Sequence, residues 1–219
     1  MSFRDRRDAG RQLAQALLPQ GKYDPVVLGL PRGGVPVAAE VARALDAPLD
    51  VVLVHKVSLP WQPEVAVGAL GEEGVRLVHE ESLRRAHVKP EVLARAEQEV
   101  AERLAAQTRH LRAIRPRVSL LGRRALLVDD GIATGATARA ACEVVRRLGA
   151  SYVVLAAPVA PPEAIGDFRD AADEVVVLET PHDFWAVGLA YDDFSPTSDA
   201  EVERLLAEQL TDAEPGGAR

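Results

Sequence analysis

Leu-Leu-Val-Asp-Asp-Gly-Ile-Ala-Thr-Gly-Ala-Thr, residues 126–137, is the stretch of sequence that decides the fold. An apolar run leads directly into two adjacent carboxylates, Asp129 and Asp130, and a loop of small residues follows. The pattern predicts a buried strand, a loop and the first turn of a helix. Two charged side chains at the end of a buried strand lose hydration, which is unfavourable. An ordinary polar turn does not explain why two carboxylates stand at this position.

The residue types in this stretch suit the different parts of a sugar phosphate. Backbone N–H groups in a small-residue loop and at a helix N-terminus bind phosphate, and Thr134 and Thr137 can add hydroxyl donors. Asp129 and Asp130 only accept hydrogen bonds when ionised, so they suit ribose hydroxyls or the waters of a metal ion. The chemistry therefore indicates a ligand of the type of ribose 5-phosphate.

Apolar runs alternate with helical segments along most of the chain. Strands are predicted near 26–30, 50–55, 124–129, 151–157 and 174–178, and helices near 5–18, 35–45, 136–148, 162–170 and 198–210. This order predicts an α/β fold, with a parallel sheet flanked by helices and right-handed crossovers. The stretch from 57 to 116 interrupts the alternation, because it predicts a hairpin at 64–79 and a long helix at 90–114.

Composition narrows the class of protein. The chain has 219 residues with 47% hydrophobic content, which suits one α/β domain with additions. A net charge of −7 and a pI near 5.3 disfavour nucleic-acid binding. No apolar run approaches the roughly 20 residues of a membrane helix and no signal peptide is evident, so we expect a cytoplasmic protein without membrane contact. The single cysteine, Cys142, is expected to be a small core residue.

The stretch at 126–137 resembles the PRPP-binding motif of type I phosphoribosyltransferases, in which hydrophobic residues precede two acids and a Gly/Thr-rich loop. The resemblance implies a Rossmann-like parallel sheet with a small hood subdomain built from the chain ends. On this basis residues 22–180 are expected to form the core, with an insertion at about 57–116. Residues 1–21 and 181–219 are expected to form the hood.

The resemblance also implies roles for individual residues. Asp129 and Asp130 would be catalytic. The 5-phosphate would lie on Ala133, Thr134, Gly135, Ala136 and Thr137. The turn after the first strand lies on the same sheet edge, and the pyrophosphate would lie there on Arg32, Gly33 and Gly34, with Lys56 nearby. A non-proline cis peptide is expected at Pro31–Arg32 or Arg32–Gly33. A surface lysine is an equally good interpretation of Lys56.

The acceptor site is less defined by the sequence. Trp185, Tyr191 or Phe194 could stack on a base, but aromatic residues also pack hood cores. The hairpin at 64–79 fits either a flexible loop that closes over the ligand or a rigid structural hairpin. Ala133 stands where the 6-oxopurine members of the family carry an aspartate, which disfavours hypoxanthine or guanine as the acceptor.

The function implied is transfer of the 5-phosphoribosyl group from PRPP to a nitrogenous base, with release of pyrophosphate. Mg²⁺ would be held mainly through PRPP and water rather than by direct protein ligands, and a homo-oligomer is left open. The alternative is a non-enzymatic protein of the same fold that senses PRPP or nucleotides. A dinucleotide-dependent oxidoreductase and a Walker-type nucleotide site are disfavoured, because neither glycine motif occurs.

Overall fold

The structure, a computed structural model, describes residues 2–59, 61–78 and 80–211. In chain order its elements are α1 (Arg6–Leu17), β1 (Val26–Gly29), α2 (Gly34–Leu45), β2 (Leu49–Val51), β3 (Val54–Leu59), β4 (Gln62–Gly71), β5 (Arg76–Val78), α3 (Glu80–Arg85), α4 (Pro90–Ile114), β6 (Arg124–Val128), α5 (Ala136–Arg147), β7 (Tyr152–Val159), α6 (Ala164–Asp167), β8 (Glu174–Glu179) and α7 (Asp199–Thr211). Short 3-10 helices cover Leu18–Tyr23, Glu72–Gly74 and Val187–Ala190.

Five parallel strands form the central sheet, in the order β2-β1-β6-β7-β8. Strand β6 lies in the middle, with Leu127 opposite Leu28 of β1 and Leu155 of β7. Leu126 and Leu127 are both fully buried, and they belong to two clusters on opposite faces of the sheet. The predicted parallel sheet flanked by helices is confirmed. Its geometry places the end of β6 at the centre of one sheet edge.

Helix α1 begins at a side-chain cap and packs closely against α2. The Asp5 carboxylate accepts a hydrogen bond from the backbone N–H of Asp8 at 2.7 Å, which satisfies one free donor of the first turn. A Cβ atom at Gly10 would lie 2.8 Å from the carbonyl oxygen of Val37, so the two helices could not approach this closely with a larger residue. These contacts fix the first turn of α1, which carries Arg6.

The sequence predicts a single strand over 50–55, and this prediction is wrong. Strand β2 ends at Val51, and β3 begins at Val54 in a separate sheet. Between them the backbone N–H of Leu53 donates to the Glu72 carboxylate at 3.2 Å. The apolar run does not reveal this break, because the two linking residues, Val52 and Leu53, are apolar and buried like the strand residue Val51 before them.

The break at 52–53 changes the position of Lys56. This residue lies inside β3, opposite Ala69 of β4, and its side chain is exposed. A strand over 50–55 in the parallel sheet would have placed Lys56 at its carboxyl end, and that placement is corrected here. The exposure favours the simpler interpretation of Lys56 as a surface residue.

A second sheet contains three antiparallel strands, in the order β3-β4-β5. Gly68 pairs with Val78 and Leu70 with Arg76, which confirms the predicted hairpin across the turn at 71–75. Residue 79, the predicted end of the hairpin, lies outside the described residues. Strand β3 adds a third strand that the sequence analysis did not anticipate.

The helices follow the sequence predictions with two exceptions, the unpredicted short helix α3 (Glu80–Arg85) and the short α6. Helix α4 spans Pro90–Ile114, as predicted, and α7 begins after Ser198, whose hydroxyl accepts the backbone N–H of Glu201 at 3.1 Å. The helix predicted at 162–170 is only the four-residue α6, because the Asp167 carbonyl is bonded to the Arg139 guanidinium instead of extending the helix. Within the described ranges, no helix is long and apolar enough to cross a membrane.

A buried ionic cluster joins the end of α4 to both sheets. The Arg112 guanidinium contacts the Asp50 carboxylate at 2.6 Å and the Glu72 carboxylate at 2.8 Å, and Arg117 also binds Glu72. Asp50 and Glu72 are almost fully buried. Burial lowers the pKa of Arg112, but its bonds to Glu72 and Asp50 outweigh this and raise the pKa overall. The cluster anchors the hairpin and α4 to the edge of the parallel sheet.

The two ends of the chain meet next to this sheet. Phe3 pairs with Tyr191 in a short parallel bridge, with hydrogen bonds of 2.8 Å from Phe3 N to Ala190 O and from Asp192 N to Phe3 O. Helix α7 packs instead with the buried residues of α2 and the sheet. The division into a core and a hood stays a prediction.

Candidate active site

The acidic pair lies directly beyond the end of β6. The backbone N–H of Asp129 donates to Ala156 O of β7 at 3.1 Å, so the pair begins where the sheet pairing ends. The backbone N–H of Asp130 then donates to the Asp129 carboxylate at 2.9 Å. Both residues are partly buried. Two carboxylates are thus held side by side at the centre of the sheet edge, where open α/β sheets bind their ligands.

The electrostatic environment of Asp129 disfavours its ionised form. Burial, together with the charge of Asp130, raises the pKa of Asp129 well above its usual range. The charge of Arg6 acts in the opposite direction and lowers it in part. An acid whose ionised form is disfavoured by its protein surroundings is a frequent feature of functional sites.

The turn after β1 packs against the acidic pair. A Cβ atom at Gly33 would lie 1.9 Å from Oδ2 of Asp130, and one at Gly34 would lie 3.1 Å from Oδ1 of Asp129. The peptide bond between Pro31 and Arg32 is cis, at one of the two expected positions. The two segments singled out in the sequence therefore meet in the fold. Their contact requires glycine, because any side chain would fill the space of the carboxylates.

The side chain of Arg32 extends away from this contact. It is 54% exposed, and its guanidinium lies 3.8 Å from the Asp199 carboxylate at the start of α7. It borders a cavity of about 400 Å³ between α4 and α7. Arg32 is therefore weakly held and accessible to an anion.

Arg6 of α1 reaches the acidic pair from the other side. Its Nε donates to Oδ2 of Asp130 at 2.7 Å, and its Nη1 donates to the carbonyl oxygen of Ser195 at 2.7 Å. The guanidinium lies 3.9 Å from the centre of the Phe194 ring, and the side chain is only 11% exposed. Arg6 is not recognisable from the sequence alone, because nothing local marks a contact that spans 124 positions.

The aromatic residues proposed for the base differ strongly in exposure. Tyr191 is buried between Phe3 and Phe194, and its hydroxyl donates to the carbonyl oxygen of Asp130 at 2.5 Å. Burial, followed by the charge of Asp130, raises the pKa of Tyr191. Trp185 is 85% exposed. Of the three, Trp185 is the side chain with an open ring face, while Tyr191 and Phe194 pack around the acidic pair.

The loop after the acidic pair lines a cavity of about 450 Å³. Residues 132–136 form one wall, and the helix α5 begins at Ala136 after Gly135 in the left-handed conformation, with φ of 70°. Arg139, one turn into α5, also lines the cavity and is bonded to the carboxylate of Asp170 at 2.8 Å. A small-residue loop, a helix N-terminus and a guanidinium together suit a phosphate group.

Comparison with known proteins gives the family. The sequence profile of the phosphoribosyl transferase domain matches residues 4–193, which is nearly the whole chain. The chain belongs to the phosphoribosyl transferase family. The acidic pair, the turn after β1 and the cavity at α5 all lie within the matched residues.

Two proteins resemble this phosphoribosyl transferase chain over almost all of its length. A protein of Mycobacterium tuberculosis strain H37Rv, with the provisional name of a phosphoribosyl transferase, is 50% identical over 216 residues. These cover 99% of this chain but 49% of the relative, so the chain spans about half the length of the curated relatives it matches. The crystal structure of TT1426 from Thermus thermophilus is 48% identical with a TM-score of 0.85, covering 95% of this chain and 99% of that one.

A third relative matches only a segment of this chain. The adenine phosphoribosyltransferase of Kineococcus radiotolerans is 49% identical over 51 residues, which cover 21% of this chain and 28% of that protein.

The donor set of this phosphoribosyl transferase site offers hard oxygen ligands but few of them. Asp129 and Asp130 have the chemistry that Mg²⁺ prefers. Among the described residues, no three side chains of His, Cys, Asp or Glu lie close enough together to hold a metal ion. The residues therefore fit a magnesium ion that is held mainly by a bound phosphate compound and by water, and whose waters the two carboxylates could bind.

Proposed function

We propose that this protein transfers the 5-phosphoribosyl group of PRPP to a nitrogenous base and releases pyrophosphate. The observation that carries the proposal is the contact between two loops at one sheet edge. The acidic pair after β6 packs against Gly33 and Gly34. The residues that follow the pair in the same loop line the cavity at the start of α5, whose lining suits a phosphate group. These three features suit the ribose, the pyrophosphate and the 5-phosphate of one ligand.

Each part of the site has a role in this proposal. Asp129 and Asp130 bind the ribose hydroxyls as acceptors. The loop at 133–137 binds the 5-phosphate through backbone N–H groups and threonine hydroxyls. The turn at 32–34 binds the pyrophosphate, with Arg32 turning inwards from the weak contact with Asp199. Lys56 contributes only if β3 and β4 move towards the ligand, because it is exposed on the separate sheet.

The reaction breaks the bond between C1 of the ribose and the pyrophosphate oxygen and forms a bond from C1 to a base nitrogen. Positive charge develops on the ribose ring as the pyrophosphate leaves, and the negative charges of Asp129 and Asp130 stabilise it. Asp129 and Asp130 would accept hydrogen bonds from the waters of a magnesium ion held mainly through PRPP, and the ion would neutralise charge on the leaving pyrophosphate. Most of the remaining rate enhancement comes from holding both substrates in place.

The acceptor in this proposal is a base other than a 6-oxopurine. Ala133 carries no acid that could exchange a proton with such a base, and its position in the loop is exposed to the cavity. The partial likeness to an adenine phosphoribosyltransferase also supports this class. Trp185, which is exposed, is the side chain proposed to stack on the base.

Pyrophosphate release from PRPP and magnesium, measured over a panel of purine and pyrimidine bases, tests the proposal. We expect at least one base to give release with the natural protein. Asp130→Asn should lower it by at least 100-fold, while Asp183→Asn, a matched change at an exposed acid, should not. Equal activity of the natural protein and Asp130→Asn would contradict the proposal. Tight PRPP binding without release for any base would favour the sensing function instead.

A further inference from the structure

A cavity of about 480 Å³, which we call the α4 cavity, lies between the hairpin turn at 71–75 and the middle of helix α4. The wall on the side of α4 consists of small residues on one face of the helix, Ala101, Ala105 and Thr108, around the buried Leu104. These small side chains leave space between the helix and the turn. The volume lies in the range of small-molecule sites, roughly 300–1,000 Å³.

The interior of the α4 cavity is mainly apolar. Leu104 of α4 and Val75 of the hairpin turn are buried, and Leu70 of β4 is half-buried beside them. An apolar chain or ring that enters this space is removed from water, which favours its binding. The interior therefore suits a ligand with an apolar body.

The charges at the rim of the α4 cavity are engaged in ion pairs, with one exception. The Arg76 guanidinium contacts the Glu97 carboxylate at 2.8 Å, and the Glu73 carboxylate lies 3.5 Å from Arg117. Arg109 is exposed at the rim and has no ion pair or side-chain hydrogen bond with any residue that the structure describes. The uncommitted charge is therefore positive, and it suits an anionic group.

Glu72 also lines the cavity, but its charge is compensated elsewhere. Its buried carboxylate contacts the Arg112 guanidinium at 2.8 Å, binds Arg117, and accepts the backbone N–H of Leu53 at 3.2 Å. These bonds belong to the ionic cluster at the end of α4. Arg109 therefore determines which sign of ligand charge the rim attracts.

We propose that the α4 cavity binds a small amphipathic carboxylate, with its apolar body against Leu104 and Val75 and its carboxylate at Arg109. The inference goes beyond the proposed function, because no residue assigned to PRPP lines this cavity. The competing explanation is a surface groove that takes up apolar molecules without regard to their charge.

Two pairs of variants separate these explanations. Ala105→Phe places a ring in the cavity, and Ala113→Phe is its control at an exposed alanine of α4 outside the cavity. Arg109→Met removes the charge and retains an unbranched side chain. Its control is Arg103→Met, an exposed arginine of α4 whose Nε donates to the carbonyl oxygen of Glu99 in the same helix. Far-UV circular dichroism checks that each variant is folded.

The probes are hexanoate and hexan-1-ol, which share an apolar chain and differ in charge. Titration of the ¹⁵N-labelled natural protein should shift the amide signals of Gly74 and Thr108 saturably, with a dissociation constant for hexanoate of about 5 mM or lower. Ala105→Phe should weaken the binding of both probes by about tenfold, because the ring fills the apolar space. Arg109→Met should weaken hexanoate by about fivefold and hexan-1-ol by less than about twofold. Both controls should follow the natural protein.

The absence of saturable shifts at these amides up to about 30 mM hexanoate would overturn the proposal. Equal weakening by Ala105→Phe and Ala113→Phe would place the probe outside the cavity and overturn it as well. If Arg109→Met bound hexanoate as tightly as the natural protein, or lost both probes equally, the groove would not select an anion. None of these titrations contains PRPP or magnesium, so each of these results would leave the proposed function intact.

Discussion

Asp129 and Asp130 place two negative charges side by side where water is partly excluded, which is unfavourable for the stability of the folded protein. The raised pKa of Asp129 expresses this cost, because the folded chain retains a proton that the unfolded chain releases near pH 4. Stability contributed by protonated Asp129 is therefore lost as the pH rises from that value towards the folded-state pKa. In the proposed function, the acidic pair serves the binding of a ligand at the expense of stability.

Asp129→Asn should consequently stabilise the protein. The asparagine keeps an oxygen that can accept the backbone N–H of Asp130 but carries no charge. We expect a gain of about 1–3 kcal/mol in the free energy of unfolding at pH 8, and a smaller gain at pH 5. Urea unfolding at both pH values measures it, with the exposed Asp183→Asn as the control. A gain that is equal at both pH values, or a loss at pH 8, would contradict the electrostatic account.

Gly33 tests the contact between the two loops. Its φ of −62° suits any residue, so Gly33→Ala acts only through the Cβ atom, which would lie 1.9 Å from Oδ2 of Asp130. We expect PRPP binding to weaken by at least tenfold because the carboxylate must move. Gly166→Ala is the matched control, since no atom lies within 4 Å of its Cβ position. Unchanged binding in Gly33→Ala, measured by calorimetry, would show that the position of Asp130 does not matter.

At the scale of elements, the helix α5 presents two arginines in matching surroundings. Arg139 is bonded to Asp170 and the carbonyl of Asp167, and Arg146, two turns later, is bonded to Asp173 and the carbonyl of Ala171. Their side chains are 40% and 37% exposed. Only Arg139 lines the cavity at the start of the helix.

This pairing makes a controlled test of the phosphate site. Arg139→Met should weaken the binding of ribose 5-phosphate by about tenfold, because one charge-assisted contact to phosphate contributes roughly 1–2 kcal/mol. Arg146→Met should change it less than twofold, although it loses an equivalent surface ion pair. Calorimetry with ribose 5-phosphate measures both. Equal effects of the two variants would place the phosphate elsewhere.

The sequence predicts those elements whose signals are local. The strand, loop and helix at 126–137 carry their pattern within a dozen residues, and α4 is marked by Pro90 at its start and Pro116 beyond its end. The strand predicted at 50–55 fails for the opposite reason. Its break at Leu53 depends on Glu72, which is distant in sequence and is itself held by Arg112.

At the scale of the whole molecule, the chain order of α/β units suffices to predict the parallel sheet and the edge at which the acidic pair and the turn after β1 meet. The contacts that complete the site come from the ends of the chain. Arg6 and Tyr191 both bind Asp130, one at the carboxylate and one at the backbone carbonyl. Single-sequence patterns do not encode such pairings, because they depend on how distant segments dock.

The fold also explains why the sequence pattern points to the ribose, rather than to the base, of the proposed ligand. The groups assigned to the ribose and phosphates lie on loops fixed by the central sheet, whereas Trp185 lies on an exposed segment between β8 and the short 3-10 helix Val187–Ala190. Sites on rigid elements keep a recognisable pattern, and acceptor sites on connecting segments vary.

A crystal structure with PRPP and magnesium tests the central claim most directly. We predict ribose hydroxyls within hydrogen-bond distance of Asp129 and Asp130, the 5-phosphate on the loop at 133–137, and the pyrophosphate on the turn at 32–34. PRPP bound away from the acidic pair, or with its pyrophosphate on the loop at 133–137, would contradict the account.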